Sequence, residues 1–315
     1  MARQQGQDVG TGSPGLSLSG LGFALGAYGL WGFFPIFWKL LASVPALQLL
    51  AHRMVWSVFF VAVLLLVTRR WSWIKEVKKK PVLIAIYLGA AIFIAINWGL
   101  YIWSVNHGFV VETALGYFIN PLINVLFGAF LLGEKARKAQ WAAIGLAACG
   151  VVYLTLNYGQ PPWIALTLAV TFALYGLLKK KATLPALEGL SLETALLSVP
   201  ALGYLMYVEM EGVGAWSDAD LWLKCMFAIT GVATAVPLLL FAGAVKRLTL
   251  TTVGVIQYLA PTIQFLLGVF LYHEPFGVDK LIGFVLIWGG LLLYTMEGVR
   301  HAMKLRRKRR SEPAS

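Results

Sequence analysis

Long apolar segments, separated by short polar ones, run through the chain from about residue 20 to residue 299. Each segment is about 20 residues long, which is the length that a helix needs to cross roughly 30 Å of hydrocarbon. The sequence therefore predicts an all-α integral membrane protein with ten membrane-spanning helices. Their expected positions are 20–42, 46–68, 81–104, 110–132, 139–157, 161–178, 191–208, 221–244, 249–272 and 280–299.

One apolar segment with polar residues at its middle occurs twice. The first copy is YFINPLINVLFGAFLLGE at 117–134, and the second is QYLAPTIQFLLGVFLYHE at 257–274. Polar positions three and four residues apart share one face of a helix, so each copy is expected to have a polar face. At a constant offset of 140 residues the following pairs align: Tyr117 with Gln257, Pro121 with Pro261, Asn124 with Gln264, Gly128 with Gly268, and Glu134 with Glu274.

The repeat predicts two related halves of opposite orientation. Ten helices with this offset place five in each half, and an odd number of crossings turns the second half upside down. We expect the proline residues Pro35, Pro121 and Pro261 to kink their helices. The predicted organisation is a disordered N-terminal segment at 1–18, a first repeat at 19–158, an inverted second repeat at 159–300, and a basic tail at 301–315.

The basic residues predict the orientation of these helices. Of the 26 Lys and Arg residues, 22 fall in segments that lie on one side of the membrane if the chain has ten crossings. Loops rich in Lys and Arg face the cytoplasm, so both termini are expected there. The basic tail then faces anionic lipid headgroups, and the net charge of +12 does not indicate nucleic-acid binding.

Composition and motifs narrow the function classes. The chain is 59% apolar and 13% charged, with a mean hydropathy of +0.75, whereas a soluble protein is nearer a quarter charged. His52 and His107 have no Cys or carboxylate at ligand spacing, so we expect no metal. The sequence contains no HExxH, GxSxG or Walker-type motif, and we expect no cofactor.

Polar and aromatic side chains are concentrated in the outer half of the first predicted repeat. Buried polar groups in a membrane usually face a cavity or another helix. If these groups converge, they form a cationic, aromatic-walled vestibule that favours a carboxylate or a phosphate. Its candidate residues are Trp38, Lys39, Arg53, Asn97 and Tyr101, with Asn120, Asn124, Gln257 and Gln264 from the two polar faces.

Glu112 opens the fourth predicted helix and has two interpretations. It could neutralise one of the vestibule cations and couple a proton to the function, or it could cap the fourth helix itself through the helix dipole. Other residues have alternatives as well. Lys39 could reach the membrane surface, and four Trp residues could be interfacial anchors: Trp31, Trp38, Trp98 and Trp103.

Three segments carry a resemblance to a known family. The chain resembles the EamA family of the drug/metabolite transporter superfamily in its Pro-centred helix, Glu turn and Gly-rich helix, which occur in both repeats. YGLWGFFPIFWKLL, the pair His52–Arg53 and INWGLYIWSVNHG are similar to the RarD branch, named for chloramphenicol sensitivity. The resemblance implies transport that ATP does not drive and a central cavity. The implied lining residues are Trp38, Asn97, Tyr101, Asn124 and Gln264.

The sequence thus favours a secondary transporter in a bacterial inner membrane. The leading hypothesis is export of a small organic metabolite, amino acid or drug by alternating access. One alternative is uptake or facilitated diffusion of the same solutes. The other is a membrane enzyme acting on a lipid-linked substrate, although an enzyme needs more converging titratable groups than this sequence offers. Oligomeric state stays open.

Overall fold

A computed structural model describes residues 17–69, 71, 73–131, 133, 137–245, 247–248 and 250–311. The expected disordered N-terminus falls largely on residues 1–16, which lie outside the described residues, and so does Glu134. Within the described ranges the chain is helical and contains no β-strand. The helices are α1 (Leu18–Lys39), α2 (Ala46–Thr68), α3 (Trp73–Lys79), α4 (Val82–Asn106), α5 (Val110–Leu131), α6 (Lys138–Tyr158), α7 (Trp163–Lys181), α8 (Ala186–Met210), α9 (Leu221–Val245), α10 (Leu250–Ile256), α11 (Leu259–Leu266) and α12 (Val278–Ser311).

Long helices correspond to the predicted apolar segments, and eight of the described ones are long and apolar enough to cross a membrane. Two further apolar stretches are shorter, at Trp163–Lys179 and Leu259–Leu271. Local sequence sets several ends: the Ser17 hydroxyl accepts the Gly20 N–H at the start of α1, and Gly159, with φ of +68°, follows α6. The all-α prediction is confirmed for the described residues.

The second copy of the repeated segment differs from its prediction. We expected one helix over 249–272, but the structure has α10, a break at 257–258, α11, and a π-helical turn at Leu267–Leu271. Pro261 has no N–H and its ring crowds the carbonyl four residues earlier, at Gln257, which explains the position of the break. Pro35 and Pro121 lie inside the continuous helices α1 and α5.

Each long helix packs against particular partners. α1 lies against α9 and α11, α2 against α8 and α9, α4 against α7 and α8, and α5 against α7 and α11. α6 and α12 pack mainly against each other. Glycine permits the closest crossing: a Cβ built on Gly231 of α9 would lie 2.4 Å from the Trp56 carbonyl oxygen of α2. The helices of one half of the sequence are therefore packed extensively on those of the other.

Candidate functional site

A buried arginine lies at the junction of α1, α2, α4 and α9. Arg53 is seven residues into α2, and its side chain is 3% exposed. Its guanidinium carbon lies 3.8 Å from the ring centroid of Trp98 on α4 and 5.3 Å from that of Trp38 on α1. Such stacking stabilises a desolvated guanidinium by about 2 kcal/mol. The two indoles therefore form walls around the cation.

The polar contacts of Arg53 are few. Its Nε donates to the Thr234 hydroxyl of α9 at 2.8 Å, and that hydroxyl donates in turn to the Thr230 carbonyl at 2.9 Å. Among the described residues no carboxylate forms an ion pair with Arg53; the ion pairs found there join Arg137 to Glu297 and Lys179 to Glu193. A buried cation without a counter-ion is costly and attracts an anion.

Tyrosine and asparagine side chains extend this cluster towards α5 and α7. Asn97 of α4 donates to the Leu168 carbonyl at 2.8 Å and to the Thr171 hydroxyl at 3.0 Å. The Tyr117 hydroxyl donates to Asn97 Oδ1 at 3.3 Å, and the rings of Tyr117 and Tyr101 lie 5.8 Å apart between centroids. The elements that hold Asn97 thus come from both halves of the sequence.

Two buried donors near Arg53 have no hydrogen-bond partner among the described residues. The Trp38 indole N–H and the Tyr101 hydroxyl are among the buried polar atoms that form no hydrogen bond. Both residues belong to the same apolar cluster as Ile102 and Phe227. An unsatisfied buried donor costs about 1–3 kcal/mol, so an acceptor group brought by a ligand would relieve that cost. The cluster of Trp38, Arg53, Trp98, Tyr101 and Tyr117 is hereafter the Arg53 site.

Other predicted site residues make contacts elsewhere. Asn120 donates to the Ala169 carbonyl at 3.0 Å, and Asn124 donates to Asn120 Oδ1 at 3.0 Å. Gln264 donates to the Trp31 carbonyl at 3.0 Å, while its Oε1 is buried without a partner. The Asn residues thus join α5 to α7, and Gln264 joins α11 to α1.

Three predicted residues lie near helix ends or breaks. Gln257 is partly buried at the break before α11. Lys39, at the end of α1, places its ammonium 5.2 Å from the Tyr272 ring centroid. Glu112 accepts the Ile164 N–H at 3.2 Å and thereby caps α7. Glu112 forms no ion pair with Arg53, so it does not neutralise the charge of the Arg53 guanidinium.

A second carboxylate caps a neighbouring helix. Glu274 accepts the N–H groups of Val110 and Val111, the first two residues of α5, at 2.6 and 2.8 Å. The close approach requires Gly268, because a Cβ there would meet the Val111 side chain at 2.7 Å. The Glu274 cap connects the loop before α12 to α5, and the Glu112 cap connects α5 to α7.

A cavity of about 310 Å³ adjoins both caps and is separate from the Arg53 site. Its walls include Glu112, Glu274, Lys280, Phe109 and Trp163. Because the cavity lies between the ends of α5, α7 and α12, it gives solvent a route to both capping carboxylates.

Burial raises the pKa of Glu274 above the ordinary value of 4.5. The N–H groups of Val111 and Val110 and the charges of Lys39 and Lys280 act in the opposite direction. Burial has the larger effect, so Glu274 binds a proton at a higher pH than an exposed glutamate does.

Glu274→Ala is expected to destabilise the protein by about 1 kcal/mol at neutral pH because α5 loses its cap. Glu274→Gln keeps an acceptor oxygen and should cost less. A raised pKa means that this carboxyl contributes stability below pH 4.5, and that the contribution is lost as pH rises through the raised pKa. Glu274→Gln should remove that dependence. Thermal unfolding in detergent at several pH values, with exposed Glu211→Ala as the control, tests this; equal stabilities of Glu274→Ala and wild type would contradict it.

The fold and the Arg53 site define a class: a multi-pass membrane protein with a charged group buried between its helices, as membrane transporters have. A model described as the EamA-like transporter family matches the chain twice, at residues 18–156 and 162–296. The chain belongs to that family.

Similar proteins support this membership. The chain is 46% identical to the "Protein RarD" of Streptomyces exfoliatus, with 91% of each chain covered. It is 47% identical to the "Uncharacterized transporter YojE" of Bacillus subtilis (strain 168), over 86% of this chain and 91% of that protein. It is 28% identical to the "Chloramphenicol-sensitive protein RarD" of Pseudomonas aeruginosa, over 93% and 99%. These names and the family assign the chain to the RarD-like membrane transporters rather than to the enzymes.

A solved structure titled "Crystal structure of protein" shares the fold. It superimposes with a TM-score of 0.56 at 21% identity, over 90% of this chain and 99% of that one.

Proposed function

We propose that this transporter is a secondary exporter of small organic solutes that carry an anionic group, such as an amino acid, an amphipathic metabolite or a drug. The observation that carries the proposal is the Arg53 site. A guanidinium held between two indoles, without a carboxylate partner in the described part of the chain, presents a planar pair of donors to a carboxylate or phosphate. The Trp38 N–H and the Tyr101 hydroxyl supply two further donors nearby.

The proposed mechanism is alternating access by two inverted five-helix repeats, at 19–158 and 159–300. Two observations support it. The family model matches once in each half, and the packing partners are exchanged between halves: α1 with α9 corresponds to α7 with α4, and α1 with α11 corresponds to α7 with α5. Rocking of one half against the other around the Arg53 site would expose that site to each side in turn.

The proposed location is the inner membrane with both termini in the cytoplasm, and with the basic tail at the anionic headgroups. The bias of 22 basic residues supports it. Reporter fusions at Lys180 and at Gly214 are expected to report a cytoplasmic and an external position, respectively. An external signal at Lys180 would reject this orientation and with it the direction of the inverted repeat.

A solute panel in proteoliposomes tests the function. We expect gradient-dependent flux of anionic or zwitterionic aromatic solutes, and the name of the Pseudomonas relative suggests adding chloramphenicol. Flux in the direction opposite to export would favour the alternative, an uptake or facilitative permease. A chemically altered product without flux would instead contradict transport.

Glu112 remains our candidate for coupling a proton, through the cavity that adjoins the two capping carboxylates. Glu112→Gln is expected to flatten the pH dependence of flux, because an amide cannot bind the proton, while the α7 cap keeps an oxygen acceptor. The matched control is Glu211→Gln, an exposed position between α8 and α9. Normal flux with an unchanged pH profile in Glu112→Gln would leave Glu112 with capping alone.

A further inference from the structure

A second buried charged cluster lies on α7 and α8, away from the Arg53 site. Lys179 donates to Glu193 Oε1 at 2.7 Å, and Tyr175 donates to Oε2 at 3.3 Å. The Glu193 side chain is 3% exposed, whereas the Lys179 side chain is 26% exposed. The ion pair therefore reaches from the protein interior to the protein surface at the end of α7.

This ion pair joins three helices from both halves of the sequence. The Lys179 ammonium lies 4.9 Å from the ring centroid of Tyr87 on α4 and 5.8 Å from that of Tyr175. Space is tight, because a Cβ on Gly189 would lie 3.0 Å from both the Lys179 ammonium and the Tyr87 ring. Tyr87 also accepts the Leu184 N–H at 3.2 Å. The ion pair thus joins α7 to α8, and the contact of Lys179 with the Tyr87 ring joins α7 to α4.

The pair occupies positions related by the internal repeat to two basic residues of the first half. The offset of 140 residues takes Arg53 to Glu193 and Lys39 to Lys179. In the first half the buried cation lacks a carboxylate partner among the described residues, while in the second half the protein supplies its own carboxylate. One related position thus has no counter-ion among the described residues, and the other can lose its negative charge by binding a proton.

We propose that Glu193 is a proton-binding site, reached from the aqueous phase beside Lys179, and that its protonation releases Lys179 from Glu193 and separates α8 from α4 and α7. A neutral carboxyl no longer attracts the ammonium, which keeps its contacts with the two tyrosine rings. The inference rests on the proposed function in one respect: this separation opens the cytoplasmic end of the solute path.

Within the described part of the chain, few other charged or titratable groups surround the pair. Besides Tyr87 and Tyr175, they are Glu188 on the first turn of α8, which has interactions of its own, and Glu76 of α3, which accepts the Thr183 hydroxyl at 3.0 Å. Lys180 and Lys181 follow in sequence, and their side chains lie outside the description. An ion pair with a purely structural role would hold the helices together throughout the physiological pH range. A proton-binding site would release them as the pH falls.

A thiol accessibility experiment separates these roles without a solute. In a chain with Cys149 and Cys225 replaced by Ser, the reporter is Leu83→Cys, at a buried position of α4 beside Tyr87. Lys79→Cys, at an exposed position of α3, corrects for the reactivity of the thiol at each pH. Inverted membrane vesicles are labelled with a membrane-impermeant maleimide.

The labelling ratio of Leu83→Cys to Lys79→Cys is expected to rise about fivefold between about pH 8 and about pH 6. Glu193→Gln should give a high ratio at both pH values, and Lys179→Gln should do the same if Glu193→Gln fails to fold. Glu297→Gln breaks the other ion pair, with Arg137, and should leave the pH response intact.

A flat wild-type ratio, or a pH response that survives in Glu193→Gln, would overturn the inference. Because labelling needs no solute, a normal pH response in a protein that carries no tested solute would count against the proposed transport and leave the proton site standing.

Discussion

Arg53→Lys is expected to reach the membrane at near-normal levels and to transport at least about tenfold more slowly than wild type. Lysine retains the charge but loses the planar fork, its stacking on Trp98, and the Nε donor to Thr234. The variant should therefore keep the positive charge of the site but bind a carboxylate less well. Arg53→Ala should also fail to transport. Flux in proteoliposomes, normalised to the amount of inserted protein, measures both variants.

The matched control for Arg53→Lys is Arg247→Lys. Arg247 also stacks on an aromatic ring, with its guanidinium carbon 4.7 Å from the Phe23 centroid, but it is exposed. The Arg247→Lys variant should transport solute at nearly the wild-type rate. If both Arg53 variants insert normally and carry solute as fast as wild type, Arg53 is only a tolerated structural charge, and the proposed anion site is wrong.

Gly231→Ala is expected to destabilise the protein by about 1–3 kcal/mol. The added methyl group would lie 2.4 Å from the Trp56 carbonyl oxygen and 3.0 Å from the Ser57 nitrogen, both backbone atoms of α2. Backbone cannot rotate away, so α9 must move from α2. That movement also takes Thr234 away from Arg53, and transport should fall with stability. Thermal unfolding in detergent and flux measure the two effects.

Gly176→Ala provides the comparison for Gly231→Ala. Gly176 lies inside α7, and a Cβ there meets nothing within 4 Å, so alanine should stabilise its helix slightly. An unchanged melting temperature in Gly231→Ala would mean that the α2–α9 crossing is looser than the structure indicates.

Much of the fold could be predicted because lipid leaves a clear trace in sequence: apolar segments of about 20 residues. The exceptions have local causes. α3 (Trp73–Lys79) is a short, strongly charged helix with no apolar segment to mark it. The break before α11 depends on Pro261, whereas Pro121 at the related position lies within a continuous helix. A proline alone does not indicate whether its neighbours will satisfy the freed carbonyl.

The residues of the candidate site were less predictable than the fold. Arg53 stood out because a charge two turns inside an apolar helix needs an explanation. Thr234 did not, although Thr230 and Thr234 form a polar pair four residues apart on α9. Glu112 was expected either to neutralise a cation or to cap its own helix, α5, but it caps α7 instead. Such contacts depend on helices distant in sequence, and spacing along one helix carries no information about them.

The position of Arg53 has an electrical consequence. It lies about 10 Å along α2 from its start, or roughly a third of the way through the hydrocarbon. One elementary charge that crosses the whole membrane changes the energy by about 2.3 kcal/mol per 100 mV. If access alternates as proposed, the empty protein would move the positive charge of Arg53 through part of this field, whereas a monoanionic solute would make the loaded site neutral. The membrane potential would then affect the rate at which the empty protein returns and have little effect on the step that carries the solute.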